Sequence, residues 1–211
     1  MLLLTIPRKV GIISWLATCF YFVIEPFFMM TSTAPYSLMQ HAMSDLGVTS
    51  CGHFTYAIAP HEICSPYHLW MNVLFIINGI TMTVGVLYLA QYLEKKVRTK
   101  LATIFIIILA LGNIVSGFIP ADVDFFWHSI AAQIGMITVL PGLWIYAKML
   151  NNGKSWTYIC LFALIVIFVL IILLFFVPLP AGLLQRLFYG IVFVWGTVLT
   201  FILTDSSFES S

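Results

Sequence analysis

The sequence predicts an all-α integral membrane protein: a bundle of six transmembrane helices, with both termini cytoplasmic and one large external loop between the first two spans. The first observation is composition, because 62% of the 211 residues are hydrophobic and only 8% are charged, whereas soluble domains carry roughly 25% charged residues. The second is a series of apolar runs, each near the roughly 20 residues that cross a bilayer as a helix. The third is that cationic residues gather at one set of run ends.

The first predicted span is Val10–Met30, which follows Arg8 and Lys9. An apolar run of this length exceeds the roughly 7–15 residues of a signal-peptide core, and no small-x-small cleavage site follows it. We therefore expect this segment to be a membrane helix.

The other five spans are separated by short polar or proline-containing segments. They are Leu69–Leu93, Leu101–Ile119, Phe126–Leu150, Trp156–Val177 and Leu183–Thr204. Pro120 ends the third span, and Pro178 and Pro180 end the fifth, because proline lacks the backbone N–H that a helix interior needs. Spans joined so closely predict a single transmembrane domain over residues 1–211.

Lysines and arginines determine the predicted orientation. Of nine such residues, eight lie at one set of span ends: Arg8, Lys9, Lys95, Lys96, Arg98, Lys100, Lys148 and Lys154. Because cationic loops stay in the cytoplasm, we expect these ends and both termini to be cytoplasmic. Arg186 alone falls on the opposite side, with all five histidines: His41, His53, His61, His68 and His128.

Residues 31–67 form the predicted external loop. Cys51 and Cys64 lie within it, and a disulfide between them is expected in an oxidising compartment. By the loop-entropy model, such a short ring contributes roughly 3 kcal/mol to stability.

Part of this loop has the apolar spacing of an amphipathic helix. In residues 36–47 the apolar side chains recur at helical intervals, which predicts a short helix lying on the outer membrane interface. His41 and Asp45 are four residues apart and would share a face of that helix.

Ionisable residues near the outer ends of the spans mark the predicted functional site. Such groups are costly in a bilayer and usually face the bundle interior or a cavity. Glu25, followed by the helix-kinking Pro26, lies in the outer third of the first span, and Arg186 lies at the outer start of the sixth. These two residues form either part of a ligand site or a structural ion pair that joins two helices.

We expect an outer-leaflet polar pocket that binds a lipid headgroup or a small amphiphile. Its predicted ligand-binding residues are Glu25, His68, Asn72, Asp122 and Arg186. Arg186 would hold a phosphate or carboxylate, and Asn72 and His68 would hydrogen-bond it. Membrane lipid is therefore the expected partner. No basic cluster has the size or aromatic interleaving of a nucleic-acid site, and a homo-oligomer is left open.

Three groups of residues resemble those of an uncharacterised prokaryotic membrane family known as domain of unknown function 998. The first is Ser44-Asp45-Leu46-Gly47, then Cys64-Ser65-Pro66, Met71-Asn72 and Gly79; the second is Gly117-Phe118-Ile119-Pro120-Ala121-Asp122 with His128; the third is Gly182-Leu183-Leu184-Gln185-Arg186. The resemblance covers nearly the whole chain. It implies a six-span bundle in a bacterial plasma membrane, with its recurring polar residues on the outer side, and it brings no established activity.

A weaker resemblance is to multi-span membrane hydrolases of the alkaline ceramidase and progestin-receptor-like group, which use a serine, an aspartate and three histidines around zinc. It implies Ser44, Asp45 and His128 as catalytic residues and Asp45, His68 and His128 as zinc ligands, with a lipid amide or ester as substrate. Three protein ligands and a water suffice for catalytic zinc, and that water is a nucleophile near neutral pH. The chain departs from the group because its last spans lack a His-x-x-x-His pair.

The third hypothesis is a proton-coupled transporter that uses Glu25 and His128. Charged side chains are absent from the midplane of every predicted span, and the inner halves contain only Lys148, near the end of the fourth; no inverted repeat of broken spans is visible, although many transporter folds have one. The sequence therefore favours a binding protein over a carrier.

Overall fold

The computed structural model describes residues 5–206, and it contains six long helices. They are α1 Arg8–Thr31, α2 His68–Ala90, α3 Val97–Phe118, α4 Phe125–Met149, α5 Lys154–Leu173 and α6 Ala181–Ser206. Each is long and apolar enough to cross a membrane, so the prediction of an all-helical protein with six helices of membrane-spanning length and composition is confirmed. The connection between α1 and α2 adds a 3-10 helix, Met43–Gly47, and two short strands, β1 Gly52–His53 and β2 Glu62–Ile63.

The helices form a closed ring in chain order. Each packs against the next, from α1 to α6, and α6 returns to α1; α2 also contacts α6 across the ring. From α2 to α6 this arrangement follows from the short connections, which make consecutive helices antiparallel neighbours. One end of the bundle carries residues 32–67 and is called here the loop end. The other carries Arg8 and the α2–α3 and α4–α5 connections, and is called here the basic end.

Glycines let α3 approach its two neighbours closely. A Cβ on Gly117 would lie 2.5 Å from the carbonyl oxygen of Asn72 in α2, and one on Gly112 would lie 2.7 Å from the carbonyl oxygen of Ala131 in α4. Small residues allow such backbone contact in membranes, where helices associate through packing and hydrogen bonds. These contacts hold α2, α3 and α4 together as one side of the ring.

Large aromatic side chains fill the interior between α1, α4 and α6. The ring centroids of Trp15 and Trp195 are 6.0 Å apart, edge to face, and Tyr146 packs on Trp195 at 5.8 Å. All three side chains are fully buried. By contrast, α5 packs mainly against α4 and α6 and exposes side chains such as Ile159 and Phe162, as expected for a helix that faces lipid.

The helix ends differ from the predicted spans by a few residues. The second helix stops at Ala90, before the predicted Leu93, and the third begins at Val97, before the predicted Leu101. The third helix therefore includes Arg98 in its first turn, where a long cationic side chain can reach the headgroup region.

The loop between α1 and α2 is compact but not helical as predicted. The expected amphipathic helix over residues 36–47 is wrong: residues 38–40 form a turn and only Met43–Gly47 forms a 3-10 helix. Contacts with other parts of the fold replace helical ones, since the Met43 amide donates to Gln185 in α6 and the Leu183 amide donates to the Met39 carbonyl. The predicted Cys51–Cys64 disulfide is present.

Candidate functional site

Asp45, at the centre of the 3-10 helix, is the most buried carboxylate of the loop. Its side chain is 1% exposed. One oxygen accepts a hydrogen bond from the Tyr56 hydroxyl at 2.5 Å. The other accepts from the Ala42 amide at 3.0 Å and lies 3.0 Å from Nε2 of His61. This carboxylate therefore joins three separate parts of the loop.

Two histidines lie together beside Asp45. The rings of His41 and His61 stack with centroids 3.9 Å apart and planes 12° apart. One ligand atom from each of His41, Asp45 and His61 lies within 4.8 Å of the others. Tyr36 packs its ring edge to face on His41, at 4.9 Å between centroids. We call His41, Asp45 and His61 the histidine–aspartate cluster.

The disulfide and the strand pair hold His61 in place. Gly52 pairs with Ile63, and His53 pairs with Glu62, in an antiparallel ribbon beside the Cys51–Cys64 bond. His61 directly precedes this ribbon, so the ribbon determines where its backbone lies. Sequence reasoning did not assign His61 a role, because nothing in local periodicity relates it to Asp45, sixteen residues earlier.

The surroundings of the histidine–aspartate cluster shift two pKa values. Burial lowers the pKa of His41 below its ordinary value, and the neighbouring His61 lowers it further. Burial and the Asp45 carboxylate raise the pKa of Tyr56 far above its ordinary value. At neutral pH the His41 ring is therefore uncharged, and the Tyr56 phenol keeps the proton that it donates to Asp45.

Glu25 and Arg186 form a buried ion pair between α1 and α6. Nη2 of Arg186 lies 2.8 Å from one carboxylate oxygen of Glu25, and Nε lies 3.2 Å from the other. The two side chains are 2% and 6% exposed. Of the two alternatives left open by the sequence, this geometry is that of a structural pair.

The remaining donors of Arg186 bind the loop. Nη2 donates to the Tyr36 hydroxyl at 2.6 Å. Nη1 donates to three backbone carbonyls, those of Leu38, His41 and Gly182, at 3.0, 2.8 and 3.0 Å. Every nitrogen of the guanidinium group is thus engaged, which leaves no donor for a lipid phosphate. Both oxygens of Glu25 are engaged as well, so the structure lends no support to a proton carrier based on Glu25.

A small cavity of about 30 Å³, lined by both polar and apolar side chains and called here the polar cavity, lies in the bundle towards the loop end. The 3-10 helix and every long helix except α5 contribute to its wall. Its polar lining residues are Tyr21, Ser44, Asn78, Asn113, Ser116, His128, Gln185 and Tyr189, and its apolar ones are Met43, Phe75, Ala132 and Phe193. Ser44 and His128, both predicted as catalytic, thus meet at this cavity.

Several of these lining groups have hydrogen-bonding capacity to spare. Nδ1 of His128 lies 2.8 Å from the Ile119 carbonyl; because a carbonyl only accepts, Nδ1 carries the proton and Nε2 is an acceptor in the neutral ring. Gln185 uses its oxygen for the Met43 amide, which leaves its NH₂ group. Within residues 5–206, no hydrogen bond is formed by the hydroxyl of Ser44 or Ser116.

The other predicted ligand residues fasten the loop to the helices. The carboxylate of Asp122 accepts from the amides and hydroxyls of Thr49 and Ser50, at 2.8 to 3.1 Å. Asn72 donates to the Gly47 carbonyl at 2.8 Å, and Nδ1 of His68 lies 3.1 Å from the Ser65 carbonyl. None of these three lines the polar cavity.

The predicted zinc ligands are not gathered in one place. Asp45 is accompanied by His41 and His61, and among the described residues no group that could hold a metal combines it with His68 and His128. The spacing of His41 and Asp45 was the one signal in the sequence that pointed towards the observed cluster. The hydrolase based on Asp45, His68 and His128 stays a prediction without geometric support.

A wider cavity of about 500 Å³ lies at the basic end. It is bordered by Lys96, Arg98 and Lys148, and Lys96 pairs with Glu94. The predicted cytoplasmic orientation already accounts for these cations. We therefore take the loop end, where buried polar groups converge, as the candidate functional site.

The comparisons with known proteins place the chain in a family without a known activity. Comparison with curated proteins and with solved structures finds no match. A family model described as "Protein of unknown function (DUF998)" matches residues 16–202, which is most of the chain. The resemblance predicted from the sequence is confirmed, and the chain belongs to the DUF998 family.

Proposed function

We propose that this protein binds the polar headgroup of a membrane lipid or small amphiphile in the cavity towards its loop end. The observation that carries the proposal is the wall of that cavity, where polar side chains from five helices and the 3-10 helix converge. Polar groups within a bilayer are costly unless they find partners. Such a concentration therefore favours a bound polar molecule over packing alone.

The lining favours an uncharged headgroup. Among the residues that the structure describes, no lysine, arginine, aspartate or glutamate borders the cavity, and the donors of Arg186 bind Glu25, Tyr36 and backbone carbonyls. The spare groups are hydroxyls, an amide and an imidazole, which are suited to hydroxyl, amide or carbonyl groups. This replaces the phosphate contact that was predicted for Arg186.

The size of the cavity sets a condition on binding. A volume of about 30 Å³ accommodates water, which needs roughly 10–15 Å³ on this measure, but not a complete headgroup. Binding therefore requires the wall to widen. The helices α4 and α6 both border the cavity, and α5 packs against each of them, so movement of α5 would open it towards lipid.

We place the loop end on the non-cytoplasmic side of a bacterial plasma membrane. The eight cations at the opposite end support that orientation through the positive-inside rule. The Cys51–Cys64 disulfide of the loop supports an oxidising compartment. The proposed ligand would then enter from the outer leaflet.

Native mass spectrometry of protein extracted with its own lipids tests the proposal. The wild type is expected to retain a neutral lipid or amphiphile, and Ser116→Leu, which fills the cavity, is expected to lose it. Ser129→Leu is the matched control, because Ser129 lies in α4 but not in the cavity wall. Absence of a bound molecule from the wild type, or equal retention by Ser116→Leu, would contradict the proposal.

A further inference from the structure

We propose that the histidine–aspartate cluster of the loop is a binding site for a divalent transition metal of the zinc type. The three ligand atoms, one each from His41, Asp45 and His61, lie within 4.8 Å of one another. Two imidazoles and one carboxylate form a ligand set that zinc accepts, with a fourth position left for water. This site is separate from the polar cavity, whose wall contains none of the three.

Within the described part of the chain, the buried Asp45 carboxylate lacks a permanent cationic partner. Asp45 is 1% exposed, and a buried carboxylate needs a compensating cation or a metal. Arg186, the cation that contacts this part of the loop, already pairs with Glu25. Among the described residues, His61 is the one ion-pair partner of Asp45, and it carries charge only when it is protonated. A bound divalent cation supplies the missing positive charge.

Neighbouring groups hold the side chains of Asp45 and His41 in place. The Tyr56 hydroxyl and the Ala42 amide fix the Asp45 carboxylate. Tyr36 packs against the ring of His41. Metal ligands characteristically depend on such supporting hydrogen bonds and contacts, which orient them before the ion arrives.

A metal ion can reach the histidine–aspartate cluster from solvent. His61 has a side chain that is 28% exposed, whereas His41 is 7% exposed. The ion therefore reaches Asp45 and His41 from the His61 side, which also leaves room for a water ligand.

Metal binding requires a small rotation of His61. Imidazole lone pairs lie in the ring plane, and the two rings are stacked nearly parallel, so both cannot point at one ion without a turn. Ligand atoms around tetrahedral zinc lie roughly 3.3 Å apart, which is closer than the 4.8 Å limit of the present group. Nε2 of His61, now facing Asp45, would give up its proton while Nδ1 takes one up from solvent, so that the ring stays neutral and offers its Nε2 lone pair to the metal.

Zinc binding to the purified protein tests this site. The protein is prepared in detergent without a polyhistidine tag, stripped with a chelator and titrated with Zn²⁺ against a competing metal dye. We expect about one ion per chain, and at least a hundredfold weaker binding in His61→Gln, whose amide still donates a hydrogen bond to Asp45. Tyr56→Phe keeps all three ligands and is expected to weaken binding by roughly 10- to 100-fold.

His53→Ala is the matched control. His53 lies in the same loop, is exposed, and sits outside the cluster, with Nδ1 near the Pro60 carbonyl. It should bind zinc like the wild type, and the thermal unfolding of each variant without metal shows whether it has folded. The proposal is overturned if the folded wild type takes up no zinc, or if His61→Gln binds as tightly as His53→Ala.

Discussion

At the scale of single residues, the Glu25–Arg186 pair joins α1 to α6, and Arg186 also donates hydrogen bonds to the loop. Removing one member of a buried pair leaves the other charge without a partner, at a cost of about 3–5 kcal/mol. We expect Arg186→Met to lower stability by about that amount, measured as thermal unfolding in detergent. Glu25→Gln should cost less, because Arg186 keeps its contacts with Tyr36 and with backbone carbonyls.

The double variant separates an ion pair from two independent contacts. If the charges act on each other, Glu25→Gln combined with Arg186→Met should be less destabilised than the sum of the single variants. Additive losses would contradict a coupled pair. Arg186 would then again be a candidate ligand-binding residue.

Asp122 makes the attachment of the loop dependent on pH. Burial raises the pKa of its carboxyl group, but the hydrogen bonds from Thr49 and Ser50 outweigh burial and hold it below the ordinary value of 3.8. A lowered pKa in the folded state stabilises the protein above pH 3.8, and that contribution is lost as the pH falls through the folded-state pKa.

We therefore expect the loop around Thr49 and Ser50 to loosen only in acid, below about pH 4. Limited proteolysis by an acid-active protease over a pH series measures this. Asp122→Asn is the control, because it should be loosened at every pH and lose the acid step. A wild-type transition centred near pH 6 would contradict the assignment to Asp122.

The residues of the site differ in how well the sequence predicts their contacts. For Glu25 and Arg186, the sequence predicts an ion pair as one of two alternatives, because each is a charged residue within an apolar span. Asp45 is also expected as a zinc ligand, but together with His68 and His128. The depth of a residue in the membrane can be predicted for a helical span, whereas the position of a loop residue cannot. His61 and Tyr56 reach Asp45 through a non-repetitive loop, and no periodic pattern predicts that path.

At the scale of elements, the closeness of α2, α3 and α4 depends on glycine. A methyl group on Gly117 would lie 2.5 Å from the Asn72 carbonyl oxygen, whereas one on Gly190 would meet only Phe22, at 3.7 Å. Alanine favours a helix over glycine by about 1 kcal/mol, but overpacking costs about 1–3 kcal/mol. We expect Gly117→Ala to destabilise the bundle and Gly190→Ala to be neutral or stabilising.

Thermal unfolding of the two alanine variants beside the wild type measures this difference. The substitution is identical and both positions are helical, so the comparison isolates the approach of α3 to α2. Equal midpoints for the two variants would mean that Gly117 does not limit the distance between these helices.

The helices and the loop also differ in what sequence could predict. All six spans were expected, because apolar length alone decides which segments can cross a bilayer, and the six observed helices overlap them. The segment from 36 to 47 was predicted as a helix from its apolar spacing. It forms a turn and a 3-10 helix, since its backbone groups bond α6 and the Asp45 side chain instead.

At the scale of the whole molecule, the ring of helices separates two polar ends. The basic end gathers eight of the nine cations of the chain, and the loop end gathers the histidines, the disulfide and the polar cavity. The charge bias made this division predictable. The cavity itself was not, because it depends on side chains from six elements meeting at one depth.

The measurement that tests the central claim most directly is the reactivity of a thiol placed in the cavity wall. Ser116→Cys would be made in a chain with Cys19→Ala and Cys160→Ala, and that parent chain is the control. A membrane-impermeant thiol reagent is added either to right-side-out or to inside-out vesicles. Each kind of vesicle is prepared with the native lipid retained, and again after detergent has removed the native lipid and synthetic lipid has replaced it. Labelling is followed by mass.

If a lipid or amphiphile occupies the cavity, labelling is expected from the non-cytoplasmic side alone. The labelling rate should be low with native lipid and higher once that lipid has been removed. This result would mean that a bound molecule occupies a cavity reached from the loop end. A labelling rate that does not change with lipid removal, or labelling from the cytoplasmic side, would contradict the account.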